Sequence, residues 1–185
     1  MSHTQQLTPG MTISLDGKIY RVESCVKVTV AKGSPFVKAK LKDLIGGDLV
    51  EKNFKIGQAI QEVALAERKL EYLYLEDKGY LFLDVGNLEQ VLVPMSVIGD
   101  KVNFLKEGID VKAMSYGDSI FSVELPQFLE LMVVKAESAE GASPLSNGVK
   151  TAVLETGAKV DVPLFVETGD IVKVDTLTGE YIQRV

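Results

Sequence analysis

The chain has 185 residues, of which 46% are hydrophobic and 25% charged, and a formal net charge of −6. That balance is ordinary for a globular protein and excludes a disordered or fibrous one. No apolar run approaches the length that spans a bilayer, the start Met1-Ser2-His3-Thr4-Gln5-Gln6 lacks the charged and apolar regions of a secretory signal, and the single cysteine, Cys25, excludes an internal disulfide and a multi-cysteine metal site, so a cytoplasmic protein with no membrane partner is expected.

Residues 11–15 and 18–22 alternate apolar with polar positions around Asp16-Gly17, which predicts a hairpin with a tight turn. A second hairpin follows, with strands over 21–30 and 36–41 joined by Val30-Ala31-Lys32-Gly33-Ser34-Pro35. This hairpin holds Lys32 at its tip with the amine in solvent. Cys25 sits within its first strand as a small buried apolar residue. Residues 41–54 read as strand, turn and strand, and 71–75 with 80–84 as a further hairpin closed by Glu76-Asp77-Lys78-Gly79. Helices are scarce: residues 88–92 suggest a single turn and 94–98 another. A strand over 119–125 follows Tyr116-Gly117-Asp118, residues 137–149 are turn-rich and predict a mobile loop, and strands over 170–175 and 180–185 flank Thr176-Leu177-Thr178-Gly179.

Many short strands with regular turn signals predict an all-β chain of small barrels. A barrel of the OB or SH3-like kind takes about 60 residues. The chain divides into three such units, 1–64, 65–126 and 127–185, with no strict sequence repeat. The first unit carries 9 Lys/Arg against 6 Asp/Glu, a net of +3, while the second nets −5 and the third −4. A basic end on an acidic body predicts a polyanionic partner met from one direction.

The catalytic inventory is poor. His3 is the only histidine and lies at a terminus expected to fray. No serine–histidine–aspartate, cysteine–histidine or zinc constellation is available. Lys32-Gly33-Ser34 lacks the spacing and following helix of a phosphate-binding loop, and the carboxylates read as solvated barrel surface. No enzyme, catalytic residue, metal or cofactor is expected. The positive signal is basic: Lys27, Lys32, Lys38, Lys40 and Lys42 cluster on and around the second hairpin, and the last three alternate, so they share one strand face. Such a stripe tracks a phosphate backbone; it is also what a lysine-rich sheet edge looks like. With Phe36 the only aromatic in the hairpin, phosphate contact and shape recognition of a folded RNA fit better than base stacking.

The C-terminal pieces Val162-Pro163-Leu164-Phe165-Val166, Gly169-Asp170-x-x-Lys173-Val174-Asp175-Thr176 and Thr178-Gly179-Glu180-Tyr181-x-x-Arg184-Val185 are specific in this order. Pro9-Gly10-Met11, Val50-Glu51-Lys52-Asn53-Phe54, Phe82-Leu83-Asp84 and Ile120-Phe121-Ser122-Val123-Glu124-Leu125-Pro126 join them. Through these residues the chain resembles bacterial elongation factor P along essentially its whole length. The resemblance implies an SH3-like (KOW-type) first domain and two OB-type barrels in an L-shaped, tRNA-like arrangement. It implies a monomeric translation elongation factor whose partners are the ribosome, ribosomal RNA and peptidyl-tRNA. Binding between the peptidyl and exit sites would stimulate peptide-bond formation and relieve stalling at consecutive prolines. Lys32 is then the tip residue, with Ala31, Gly33 and Ser34 as its loop, and a lysine-modifying enzyme would lengthen Lys32, for example by β-lysylation. Lys27, Lys38, Lys40, Lys42, Tyr181 and Arg184 would contact RNA, the last two at the small-subunit end; the other reading of Tyr181 is an aromatic packed in its barrel. Three departures stand out: Val30-Ala31 where relatives carry Pro-Gly, Ala142-Ser143-Pro144 where a codon-side loop carries Gly-Asp-Thr, and Leu177 where an arginine is frequent. The alternative is a generic RNA-binding barrel protein or divergent paralogue in ribosome assembly.

Overall fold

A computed structural model of the chain describes residues 2–3, 7–137 and 148–185. As expected, it is nearly all β, with three antiparallel sheets.

The first sheet holds β1 (Ser2–His3), β2 (Thr12–Leu15), β3 (Lys18–Val28), β4 (Phe36–Asp43), β5 (Leu49–Lys55) and β6 (Ala59–Glu62), in the order β1-β6-β2-β3-β4-β5. Asp16 (φ 52°) and Gly17 (φ 77°) are both left-handed, the twist that lets a two-residue turn join β2 to β3. Alternation then sends Ile13, Tyr20, Val22, Leu41 and Phe54 into one core. Two expectations are corrected. His3 pairs with Ala59 instead of fraying. Cys25 is only partly buried, its thiol donating to the Leu7 carbonyl at 3.1 Å.

The second sheet runs β11-β10-β7-β8-β9, built from β7 (Ala66–Glu76), β8 (Gly79–Asp84), β9 (Gln90–Pro94), β10 (Asp110–Tyr116) and β11 (Ser119–Glu124). The short helix expected after Val93 is α1 (Met95–Ile98), continued by a 3-10 turn over Gly99–Phe104. The turn of helix expected over 88–92 is instead a loop end and a strand: Leu88 is left-handed (φ 61°), and β9 pairs with β8 from Gln90 onward.

The third sheet runs β14-β13-β12-β15-β16, from β12 (Phe128–Ala136), β13 (Val149–Leu154), β14 (Lys159–Pro163), β15 (Ile171–Asp175) and β16 (Tyr181–Arg184). Its core holds Leu131, Val133, Leu154, Val160, Val172 and Val174. Most of the loop expected over 137–149 lies outside the described residues; Val149 itself opens β13.

The chain forms two compact units, one of Met1–Glu67 with Met114–Ser122, the other of Arg68–Ala113 with Val123–Val185. Within the latter, Phe104 packs on the third core, Lys106 meets Glu155 at 2.9 Å, and the Thr176 hydroxyl donates to the Pro126 carbonyl at 2.7 Å.

One device recurs in all three sheets. The amides of Asp43, Asp84 and Asp175 donate to the carbonyls of Asp48, Glu89 and Glu180, and the amides of Gly47, Leu88 and Gly179 return to the aspartate carbonyls, all at 2.8–2.9 Å. Each aspartate Oδ1 accepts the amide two residues on, from Ile45 (2.9 Å), Gly86 (2.8 Å) and Leu177 (2.8 Å). The residue four positions on is left-handed each time, which explains Leu88. Each Oδ2 faces a side chain from elsewhere in its unit: Lys18, Arg68 or Gln127. The trace in the sequence is an aspartate with an acidic residue five positions later, too sparse to show as a repeat.

Candidate nucleic-acid interface

Within the hairpin β3–β4, strand β4 is pinned on both sides. β4 pairs with β3 from Tyr20↔Asp43 to Val28↔Phe36, and with β5 from Phe36↔Lys55 to Lys42↔Leu49. Residues 29–35 beyond the last pair are all exposed. The chain bends there over Ala31, Lys32 and Gly33, with Lys32 in solvent and Ser34 beside it. Gly33 has φ 127°, and a Cβ on it would lie 3.3 Å from Val30 Cγ2, so glycine is what lets the tip turn this tightly.

Behind the tip, Lys38, Lys40 and Lys42 point outward while Val37, Ala39, Leu41 and Asp43 point into the barrel. Because β4 lies between β3 and β5, these lysines do not guard an edge, and the edge-protection reading of the stripe fails. Cross-strand partners share a face. The same outward face therefore carries Arg21, opposite Lys42, and Lys55, opposite Phe36. Lys27 does not join them: it pairs with buried Val37 and belongs to the other face, exposed only because it lies near the barrel's end.

Arg21 and Lys55 are the cations of this face that sequence reading missed, and Arg21 has a local cause. A bulge between Val22 and Ser24 shifts the phase of β3, so Arg21 and Ser24 face the same way. The signal was present as Glu23-Ser24, two successive exposed polar residues that break the alternation.

One carboxylate lies among these cations. Glu51 stands directly opposite Lys40, and its Oε2 is 2.9 Å from Lys38 Nζ. The hydrogen bond from Lys38 and its charge, with Lys40 adding, hold the Glu51 carboxyl below the ordinary carboxylate range. No described carboxylate forms an ion pair with Lys32 or Lys42.

In the third sheet, Tyr181 is half-buried and packs on the core, lining a shallow groove of about 520 Å³ with Thr151, Lys159, Asp161 and Pro163. Arg184 is exposed but engaged, 3.4 Å from Asp170 and over the Phe165 ring at 5.1 Å. Leu177 is 79% exposed on the Asp175 turn. Ala142-Ser143-Pro144 lies outside the described residues. Among the described residues no group of three His, Cys, Asp or Glu side chains is placed to hold a metal, and no helix is long and apolar enough to cross a membrane.

Comparison with known proteins covers the whole chain. Residues 3–60 match the elongation factor P KOW-like domain, 65–123 its OB domain and 129–184 its C-terminal domain. Elongation factor P 1 of Protochlamydia amoebophila is 63% identical over 185 residues, covering 100% of both chains. Elongation factor P 1 of Chlamydia caviae is 50% identical over 182 residues, covering 98% of each, and elongation factor P of Moorella thermoacetica is 38% identical over 184 residues, covering 100% of each. In fold, a translation initiation factor eif-5a family protein from Naegleria fowleri superposes with a TM-score of 0.51 at 10% identity, over 67% of this chain and 96% of that one. A KOW-like barrel with a basic hairpin, an OB barrel and a C-terminal barrel, matched from end to end by these relatives, make the chain a member of the elongation factor P family, a ribosome-associated translation elongation factor and not an enzyme.

Proposed function

We propose that the protein binds the ribosome between the peptidyl and exit sites, places the Lys32 loop beside the acceptor end of peptidyl-tRNA, and speeds peptide bonds between consecutive prolines. The observation that carries this reading is the exposed Lys32 at the end of a hairpin whose second strand is held by ladders on both sides, with a basic face behind it. Proline is a constrained nucleophile and donor, so its bond forms slowly. A factor that offers neither acid nor base still helps by holding the tRNA end in an attack-ready geometry, an entropic contribution. A cation on a stiff arm supplies that hold through the phosphate backbone. Ala31, Gly33 and Ser34 shape the tip; Lys38, Lys40 and Lys42, with Arg21 added, steady the flanking RNA, and Lys27 makes a separate contact from the other face. Lys32 is exposed enough for a modifying enzyme to lengthen it.

Within this reading the functional domains are 1–64, 65–126 and 127–185, and the protein works as a monomer in the cytoplasm with ribosomal RNA and peptidyl-tRNA as partners. Arg184, tied to Asp170 and Phe165, first holds the C-terminal strand, and contacts RNA through its remaining donors; Tyr181 offers only its exposed edge. The test is reconstituted translation of a message with three consecutive prolines, with and without the protein purified from its own cell. Relief of the stall supports the reading. Ribosome binding without relief would point to a divergent paralogue, and neither would defeat it.

A further inference from the structure

The outward face of β3, β4 and β5 carries Arg21, Ser24, Val26 and Val28 on β3, Phe36, Lys38, Lys40 and Lys42 on β4, and Leu49, Glu51, Asn53 and Lys55 on β5. Five cations share it with one carboxylate, Glu51. The lysines of β4 repeat every second residue, about 6.8 Å apart, and Glu51 sits at their centre: opposite Lys40, bonded to Lys38 at 2.9 Å and half exposed. A carboxylate there repels phosphate, and on a face meant only to attract polyanions it weakens binding. It is an acceptor with no proton to give. Between the phosphates of a nucleic-acid backbone the one donor available at that level is the ribose 2′-hydroxyl, present in RNA alone.

We infer that Glu51 is a specificity-determining residue of this face, accepting a hydrogen bond from a ribose 2′-hydroxyl while Arg21, Lys40 and Lys42 hold the flanking phosphates. The lysines keep the carboxylate ionised and fixed in position; the carboxylate selects strands that bring a donor to it. The inference rests on the reading of this face as an RNA surface and goes beyond it by naming the group that is recognised.

The experiment compares a short RNA hairpin with the same hairpin carrying 2′-fluoro in place of every 2′-hydroxyl, which keeps the helix form and removes the donor. Binding is measured by fluorescence anisotropy at low salt for the full chain, Glu51→Leu, Glu51→Gln, and a variant with Arg21, Lys40 and Lys42 all changed to Ala. A bond to a charged acceptor at a half-exposed site predicts a preference of about five- to tenfold for the hydroxyl form. In Glu51→Leu the ratio falls to near one while affinity for the fluoro form rises; Glu51→Gln, which keeps an acceptor oxygen, retains part of the ratio. A ratio unchanged in Glu51→Leu, or a wild-type ratio of one, overturns the inference and leaves the RNA surface intact, as does an equal rise in affinity for both hairpins, which would make Glu51 a charge brake only. Absent binding by the wild type, or no loss in the triple variant, would defeat the underlying surface instead. Glu51 is exposed, so an unfolding midpoint equal to wild type verifies that each variant is folded.

Discussion

Replacing Asp43 tests the turn device where it supports the tip hairpin. Its side chain is 5% exposed, and its carboxylate accepts the Ile45 and Gly46 amides at 2.9 Å each and meets Lys18 at 3.1 Å. A hydrogen bond to a charged group contributes about 1.5–3 kcal/mol. Ile45 and Gly46 lie on an exposed turn, so water replaces much of what is lost, and about 1 kcal/mol per bond is the better figure. Lys18 is in solvent and contributes little. Asp43→Ala therefore costs about 2 kcal/mol, and Asp43→Asn, which keeps the acceptor oxygen without its charge, about 1 kcal/mol. With an m-value of about 2 kcal/mol/M, the urea midpoint of the first barrel falls by about 1 M in Asp43→Ala. The assay follows the ring resonances of Phe54, in the same core but away from the turn. Asp48→Ala, at an exposed position on the same turn, is the control and shifts by under about 0.5 kcal/mol. Equal midpoints for Asp43→Ala and Asp48→Ala would refute the reasoning.

Carboxylates held by backbone amides set the acid limit. Backbone amides, those of Gly46 for Asp43, Glu167 for Asp170 and Leu177 for Asp175, lead the interactions that hold these carboxyls below their ordinary range. A folded value below the unfolded one gives stability that is complete above about pH 4 and lost as pH falls through the folded values; urea midpoints should be level from neutrality to that point and drop beneath it, less steeply in Asp43→Asn, and a midpoint that drops already near pH 6 contradicts this. Gly33→Ala meets Val30 at a backbone angle unfavourable to alanine; the exposed tip relieves that strain by moving while the barrel stays folded, so stall relief declines at a nearly unchanged unfolding midpoint. In Gly79→Ala a Cβ would collide with the Val93 carbonyl oxygen, costing about 1–3 kcal/mol of stability, read as a lowered melting temperature. Intact mass of protein from its own cell should exceed the sequence mass, with the excess on Lys32.

The parts of the fold legible in the sequence were those written locally. Alternation located β3, β4, β8 and β15, because a half-buried strand shows its period in its own residues. Asp16-Gly17 declared its turn for the same reason. Residues 88–92 misled because Leu88 adopts a left-handed backbone that its own side chain disfavours; the hydrogen bonds of Asp84 impose it, and they depend on a loop closing at Glu89. In the site, Lys38, Lys40 and Lys42 were legible as a shared face. Lys27 was grouped with them by proximity alone, and pairing with Val37 separates it. Arg21 was hidden by the bulge at Glu23, and Glu51 by register, since the side chain opposite Lys40 is a property of two strands together.

The most direct test of the central claim measures relief of a stall at three consecutive prolines by native protein, by unmodified protein made in a foreign host, and by Lys32→Ala and Lys32→Arg variants. The account predicts full relief by native protein, reduced relief by unmodified protein, and none by Lys32→Ala, although every variant binds ribosomes. Lys32→Arg keeps a charge and should lie between the unmodified protein and Lys32→Ala. Equal relief by native protein and Lys32→Ala would contradict the account and remove the tip lysine from the mechanism.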